Sequence, residues 1–459
     1  GREVAEKATA VLNEAGFATE PLSGERAATT SPASRTVTGT SGGVNARPLD
    51  GVRVIDFTNA VAGPIATFIL ADLGADVIKV ESPSGRPLHA KGTAPVREGG
   101  QDISYNRMMT FNELNHGKRG ISLDVARAEG RELFLRLVAA ADVVVENFAP
   151  HVMGNLGLSY AALKEANPSI VLVSMPAFGL SGGYSARRAY GPGVDAMSGL
   201  SHLTGYEDGP PMKPGNFFCD QNAGVHTAFA TLAALWHRRR THEGQLVEMP
   251  MIDGEFQVLG DAYIDYAMNG SERMRSGNGH PAMAPHDVFR CAGEDAWVAI
   301  AVESEAQWAA LARMVGGRAL ADDIRFATAA ARRENRAELH ETITAWTSNR
   351  DHYAVQDILQ AAGVPAGAVL NSRELLADPH VVARHGFEYV DVRDVGPTPY
   401  PRVAFRLSGT PIPIRKTAPG FAEDNDAVYK GMLGLSADEL AELEAKLIVS
   451  RVPVEPAGR

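Results

Sequence analysis

The chain is predicted to be an α/β protein: a Rossmann-like parallel sheet in a large domain, joined to a smaller α+β domain. Three observations predict this. A βαβ unit opens the globular part, strand-length and helix-length segments keep alternating as far as Met249, and from Val288 the pattern changes to paired strands followed by helices.

In chain order, residues 4–16 read as a short amphipathic helix ending at Gly16, and residues 23–46 as a mobile linker rich in Ser, Thr, Ala and Gly. Val52 to Phe57 is a buried strand. The loop T-N-A-V-A-G-P follows, Pro64 opens a helix to Leu73, Gly74 ends it, and Asp76 to Val80 is the next strand. Gly120 to Leu123, Val143 to Val145 and Ile170 to Ser174 are further strands. A helix from Glu129 to Ala140 and another, capped by Ser159 and ending at Ala166, separate them. Loops leaving such strands gather in one crevice, the expected ligand site of an open parallel sheet. Residues 179–190 form a loop rich in Gly, Ser and Arg.

Beyond a central helix, Gln245 to Met249 is strand-like, Ile252 to Met268 helical and residues 271–287 loop-like. The strands V-F-R-C and A-W-V-A-I-A-V then flank the turn Gly293-Glu294-Asp295. Helices follow at Glu305 to Val315, Arg333 to Thr347 and Asp351 to Ala362. From Leu375 the chain reads as irregular and Pro-rich until a last helix, Ser436 to Lys446. The division expected is therefore a helix and linker over 1–47, the first part of the large domain over 48–270, the small domain over 271–374, and a segment over 375–459 that returns to the large domain.

Composition narrows the function. A hydrophobic share of 45% with 22% charged residues is that of an ordinary soluble enzyme, and the net charge of −11 argues against nucleic acid or an anionic membrane as partner. Any anionic ligand must be held by a local group of Arg, Lys and backbone N–H groups. Two cysteines imply no disulfide framework, so a reducing cytoplasm is expected. No apolar run is long enough to suggest a membrane span. The first residue is Gly rather than Met, as in a processed chain, an expression scar or a piece of something longer.

The stretch from Asn216 to Met249 is the most informative. Val225, Ala228, Phe229, Leu232, Leu235 and Trp236 are spaced to form one buried helical stripe, with Arg238, Arg239 and Arg240 in the last turn and Gly244 beyond it. Asp220 stands at the other end. It reads either as an N-cap for the N–H groups of Gln221, Asn222 and Ala223, or as a nucleophilic carboxylate at a strand-to-helix junction. Metal-ligand spacing is absent, as is a G-x-S-x-G elbow, and Cys219 has no evident base beside it. His226 and His237 read as packed or solvated side chains. The loop before Pro64 and the acid Glu81 invite a dinucleotide site, but Gly63 alone is no G-x-G-x-x-G.

Several separated motifs carry a resemblance. L-D-G-V-R-V-I-D-F-T-N-A-V-A-G-P with A-D-L-G-A-D-V-I-K-V-E, L-N-H-G-K-R-G-I-S-L-D, A-D-V-V-V-E-N-F, C-D-Q-N-A-G, A-A-L-W-H-R-R-R-T-H-E-G-Q and L-A-D-P-H-V-V-A-R occur in this order. From Pro48 onward the chain thereby resembles the family III CoA-transferases, which include formyl-CoA:oxalate and carnitine CoA-transferases and a branch with α-methylacyl-CoA racemase. The resemblance implies an enzyme that moves CoA from an acyl-CoA to a carboxylate acceptor. No tightly bound cofactor is expected, and coenzyme A or acyl-CoA is the substrate. It also implies two chains threaded through each other as an interlocked homodimer, or a heteromer with a homologue.

The resemblance places the nucleophilic aspartate on Asp220 and a CoA-contacting backbone segment on Asn59, Ala60, Val61 and Ala62. It places adenine and pantetheine contacts on Leu123, Asn147 and Phe148, a phosphate-reaching cation on Arg188 and an active-site tyrosine on Tyr190. Gly277 and Gly279 are read as lid residues over the substrate. Val61, Thr110 and Gly191 depart from the formyl enzyme's glutamine, tyrosine and glutamate, which puts formyl and oxalate in doubt. A racemase, which needs an Asp where Gly191 stands, and a non-catalytic partner subunit are the alternatives.

Overall fold

The structure, a computed structural model, describes residues 47–85, 97–98, 101–102 and 104–454. The helix expected over 4–16 and the linker over 23–46 lie outside the described residues. Six short runs of aliphatic and β-branched residues build one parallel sheet. They are β1 (Arg53–Phe57), β2 (Asp76–Glu81), β3 (Arg119–Ser122), β4 (Val143–Glu146), β5 (Val171–Ser174) and β6 (Leu246–Glu248). Their spatial order is 3-2-1-4-5-6, so the direction of winding reverses between β1 and β4. Alternate residues bury both faces. Ile55, Phe57, Ile78 and Val144 meet Leu133, Phe134 and Leu137 of α2 (Ala128–Ala139) on one side. Val54, Val77, Val143 and Val171 meet Leu70 and Ala71 of α1 (Ala62–Asp72) on the other. Near its C-terminus the chain returns to the first face, adding Val428, Tyr429, Leu440 and Val449 to that core.

Further helices of this unit include α3 (Tyr160–Ala166), capped by Ser159, then α4 (Gly191–Ser198), α5 (Phe218–Thr241), α6 (Met251–Val258) and α7 (Gly260–Asn269). The single helix expected over Ile252–Met268 is thus two, broken at Leu259 (φ −99°, ψ 8°) with Gly260 following. Asp56 on β1 is fully buried. It accepts from Lys79 at 3.3 Å, Lys118 at 2.8 Å and the hydroxyls of Thr58 and Thr67. Lys118 also donates to Pro64 O, so this network ties three strands to the first turn of α1.

The central helix departs most from its sequence reading. Asp220 is the third residue of α5, and the N-cap is Phe217 (φ 56°, ψ 36°), with no side-chain cap bond. No strand precedes it, so neither the N-cap nor the strand-to-helix junction describes the residue. The buried stripe is made of small residues, Cys219, Ala223, Gly224, Thr227, Ala228, Thr231 and Ala234. Val225, Phe229 and Trp236 lie on the opposite face, 57%, 72% and 62% exposed. Small residues won the inner face because α5 runs against α1 at close range. A Cβ on Gly224 would stand 2.5 Å from Ile65 Cγ2 and 3.0 Å from Ala62 O.

By its contacts the chain divides into two compact units. The larger comprises the described residues up to Thr204, with Pro211–Arg273 and those from His385 onward; the smaller comprises Gly205–Pro210 and Met274–Arg384. In the smaller, β7 (His286–Arg290), β8 (Trp297–Ala301) and β9 (Ala366–Val369) form an antiparallel sheet in the order 7-8-9. It is covered by α8 (Glu305–Ala321), α9 (Arg336–Thr347) and α10 (His352–Ala361), over a core that includes Phe289, Val298, Trp308 and Ile343. The boundary falls after Arg384, because Asn371 and Asp378 cap two further short helices, Ser372–Ala377 and Pro379–Ala383. The stretch expected to be irregular then contains a hairpin, β10 (Phe387–Val392) with β11 (Gly396–Pro401). Pro397, Pro399 and Pro401 alternate along β11, so all three missing N–H groups fall on the side away from the ladder. The last helix is α11 (Ala437–Ala445), closed by a Ser436–Glu439 capping box.

The contact between α5 and α1 can be tested directly. Gly224→Ala places a methyl group against Ile65 and the Ala62 carbonyl and is expected to destabilise the fold by about 1–3 kcal/mol, read as a lower urea midpoint. An unchanged midpoint would show that the two helices are free to separate.

Candidate active site

The winding reversal of the sheet places the loops after β1 and β4 side by side. The Asn59 N–H donates to Asn147 Oδ1, and the Asn147 amide donates back to Asn59 O, each at 2.8 Å. Phe148 lies edge-on to Phe57 with ring centroids 4.9 Å apart. Asn59, Ala60, Leu123 and Phe148 line one cavity of about 590 Å³, together with Ser82, Glu81, Asp124, Thr110 and Lys79. Every strand from β1 to β4 presents its C-terminal end here, the position where open parallel sheets bind ligands. Four of the residues singled out for CoA thus share one cavity, and Asn147 fixes the loop that carries two of them. The Val61 side chain is buried against Ile65 and Leu114, leaving its backbone for any ligand.

Ala62 begins α1, and α1 packs on α5, so the same loop reaches Asp220. The Asp220 side chain is buried. Burial, with the neighbouring Asp195 adding to it, pushes its carboxyl up to about 6, while the Ala62 N–H pulls the other way. Gly191, the first residue of α4, leaves the space this carboxylate occupies: a Cβ there would stand 2.0 Å from Asp220 Oδ2. Tyr190 is the N-cap of the same helix, adjacent in sequence to that contact, with its side chain 82% exposed.

Other residues are placed apart. Arg188 is exposed and does not line the cavity. Lys118 and Arg119 are no substitute for it as phosphate ligands, since Lys118 is fully buried on Asp56 and Arg119 pairs with Asp76 at 2.7 Å. Gly277 and Gly279 belong to the smaller unit, where they edge an open groove of about 560 Å³ with Asn278, His286 and Asp287. Gly277 (φ 57°) has no room for a side chain, because a Cβ would meet Tyr206 Cδ1 at 2.8 Å. Burial, with the acids Glu255, Asp195 and Asp220 adding to it, drives the Cys219 thiol far above the usual range, which disfavours it as a thiolate nucleophile. His226 is half-buried with Nδ1 at 3.0 Å from Asn222 O; His237 is exposed. Arg238 pairs with Asp142 at 2.7 Å and donates to Ser169 O.

Two buried acids escaped the sequence reading, Asp195 on α4 and Glu255 on α6. Both pack behind the first turn of α5, and no motif or spacing marks them, because they meet only when three helices come together.

The family model for CoA-transferase family III matches residues 49–425. The chain is 35% identical over 403 residues to a succinyl-CoA–D-citramalate CoA-transferase of Chloroflexus aurantiacus, covering 88% of this chain and 98% of that one. It is also 35% identical to a succinate–glutarate CoA-transferase of Agrobacterium fabrum, covering 86% and 96%. A crystal structure of a CaiB/BaiF family protein from Brucella suis superimposes with a TM-score of 0.76 at 35% identity, covering 84% and 99%.

The raised Asp220 carboxyl has a consequence for stability. An unfolded Asp ionises near 3.8 and the folded one near 6, so folding carries a penalty that is absent below about pH 4, grows between these values and is complete above about 6. Asn carries no such penalty. Asp220→Asn is therefore expected to be more stable than the parent by roughly 1–3 kcal/mol at pH 7.5, with the difference closing towards pH 4. Urea midpoints across that range check it; a variant less stable at pH 7.5 would make Asp220 a helix-stabilising group after all.

Proposed function

From the premise that the chain belongs to CoA-transferase family III, and is a CoA-transferase, we propose that it moves CoA from an acyl-CoA thioester to a free carboxylic acid through covalent intermediates on Asp220. The observation that carries this reading is a buried carboxylate, past the N-cap position, which meets the Ala62 N–H two residues beyond a cavity-lining loop. A carboxylate raised to about 6 is still mostly ionised at neutral pH and is more basic than one in water, as a nucleophile requires.

The steps follow from the chemistry of two acids exchanging one thioester. The Asp220 carboxylate attacks the thioester carbonyl, the C–S bond breaks, and CoA leaves as thiolate from a mixed anhydride. The thiolate attacks the Asp220 carbonyl, the donor acid departs, and an aspartyl-CoA thioester remains. The acceptor carboxylate attacks that thioester to give a second anhydride and thiolate. Attack of the thiolate on the acceptor's acyl carbon then frees Asp220. The Ala62 N–H is placed to donate to oxyanions formed at the Asp220 carbonyl. Both anhydrides are hydrolysable, which makes the burial of Asp220 functional as well as costly.

In this reading the cavity takes the adenine and pantetheine of CoA through Asn59, Ala60, Leu123 and Phe148, with Asn147 holding the loop. Arg188 is assigned to the phosphates and Tyr190 to the acyl group. Both named transferase relatives have succinate or succinyl-CoA in their names, so succinyl-CoA is the first donor to test. Racemisation is disfavoured by Gly191, since a side chain there would run into Asp220 as it lies. We also take the working form to be an interlocked homodimer. Val225, Phe229 and Trp236 on α5, with Ile264, Tyr266 and Met268 on α7, are large apolar side chains each more than half exposed, which a second chain would cover.

Incubation with succinyl-CoA and a panel of dicarboxylates should give new acyl-CoA products by mass, and Asp220→Asn should lose at least roughly a thousandfold of that turnover. Near-normal transfer by the Asn variant would remove Asp220 from the mechanism. For the dimer, light scattering should give twice the chain mass at the lowest measurable concentration, and Phe229→Glu should reduce it. A parent chain that scatters as a monomer would contradict the interlocked form.

A further inference from the structure

Behind Asp220 lie two acids that the transfer steps leave unused. Asp195 and Glu255 are buried, and together with Cys219 they bring two carboxylate oxygens and the thiol sulfur within 4.8 Å of one another. Neither oxygen of Glu255, nor Oδ1 of Asp195, has a hydrogen-bond partner of normal geometry. A pair of buried carboxylates in this state cannot both stay ionised without a counter-charge.

The surroundings decide which one yields. Burial pushes the Asp195 carboxyl up, but the Cys219 backbone N–H and the Lys213 ammonium both favour its ionised form. Glu255 has Asp195 from α4, Cys219 from α5 and Tyr263 from α7 around it, while Asp253 on its own helix is exposed. No Lys or Arg is among them. The Asn222 amide and the Cys219 thiol stand close, but only as neutral donors. Burial first, and then Asp195, push the Glu255 carboxyl up to about 7.

We propose that Asp195 and Glu255 form a buried acid pair in which Glu255 carries the proton, and that the remaining charge on Asp195 is the positioning and tuning element for Asp220. The proposal rests on Asp220 being the nucleophile. Its chemical consequence is a bias toward the covalent states. A negative Asp195 repels the Asp220 carboxylate, yet has nothing to repel once that carboxylate has become an anhydride or a thioester carbonyl. The proton on Glu255 limits the buried charge behind the nucleophile to one, so Asp220 still ionises below neutral pH. None of the three transfers a proton to substrate, and no oxidant or metal enters.

Three measurements on the full chain test this. Infrared difference spectra at pH 6, below the value of about 7 at Glu255, should show a protonated carboxylic acid carbonyl band in the resting parent enzyme with a component that is lost in Glu255→Gln. This readout does not depend on turnover, so it stands apart from the assignment of Asp220. The acid limb of kcat/KM should move down by roughly one pH unit in Asp195→Asn, as expected for loss of one neighbouring charge, and should not move down in Glu255→Gln. Metal analysis of the purified parent should find no stoichiometric cation. Absence of the protonated band would overturn the proposal, as would an Asp195→Asn variant that loses rate with its acid limb unmoved. One equivalent of divalent metal per chain, released by the same substitutions, would overturn it too and make the cluster a cation site. If Asp220→Asn kept its turnover while the band persisted, the acid pair would stand and the nucleophile assignment would fail.

Discussion

The structure of the site depends on how closely α5 lies against α1. Gly224 lets the two backbones approach to a distance that a single methyl group would prevent. That approach delivers Asp220, one turn earlier on α5, to the first N–H of α1. Since α1 starts from the loop that lines the cavity, one helix contact joins the binding loop to the carboxylate. The buried Asp56 network with Lys79 and Lys118 holds the other end of that loop, and removing its carboxylate would strand two lysines in the core at a cost of about 3–5 kcal/mol. Gly191 completes the arrangement from a third helix by leaving the volume that the Asp220 carboxylate fills.

The same packing makes the site electrostatically expensive. Asp220, Asp195 and Glu255 are all buried, and among the described residues Lys213 is the only cation that acts on them. A fold selected for stability alone would replace them with apolar side chains of similar volume. Their presence suits the proposed reaction, in which Asp220 loses its charge at every covalent stage and the repulsion of the resting state is relieved as the chemistry proceeds. Stability and reactivity oppose one another at this point for a stated physical reason.

Much of the architecture was legible in the sequence. The strands of the large unit announce themselves because both faces are buried, which forces continuous apolar runs such as V-V-V and I-V-L-V. The α5 stripe was read only in part: Ala228 is buried and Leu232 and Leu235 pack on the core, but Val225, Phe229 and Trp236 face outward, because two stripes, one of large and one of small residues, share the helical period there. Only the closeness of α1 selects Gly224 and its neighbours. The hairpin over β10 and β11 was hidden by Pro397, Pro399 and Pro401, which usually exclude strands but fit where alternate N–H groups point away from the ladder. Asp220 was singled out through its motif, as were four of the residues that line the cavity. Asp195 and Glu255 carry no local signal, since α4, α5 and α6 must fold together before the acids meet.

The central claim is that Asp220 becomes covalently attached to CoA during turnover. It is tested most directly by incubating the enzyme with an acyl-CoA donor it turns over, without acceptor, then quenching, digesting and weighing the peptide that contains Asp220. The account predicts a CoA thioester on that residue, converted by hydroxylamine to a hydroxamate at the same position. An unmodified Asp220 in an enzyme that is exchanging CoA, or the adduct on a different side chain, would contradict it.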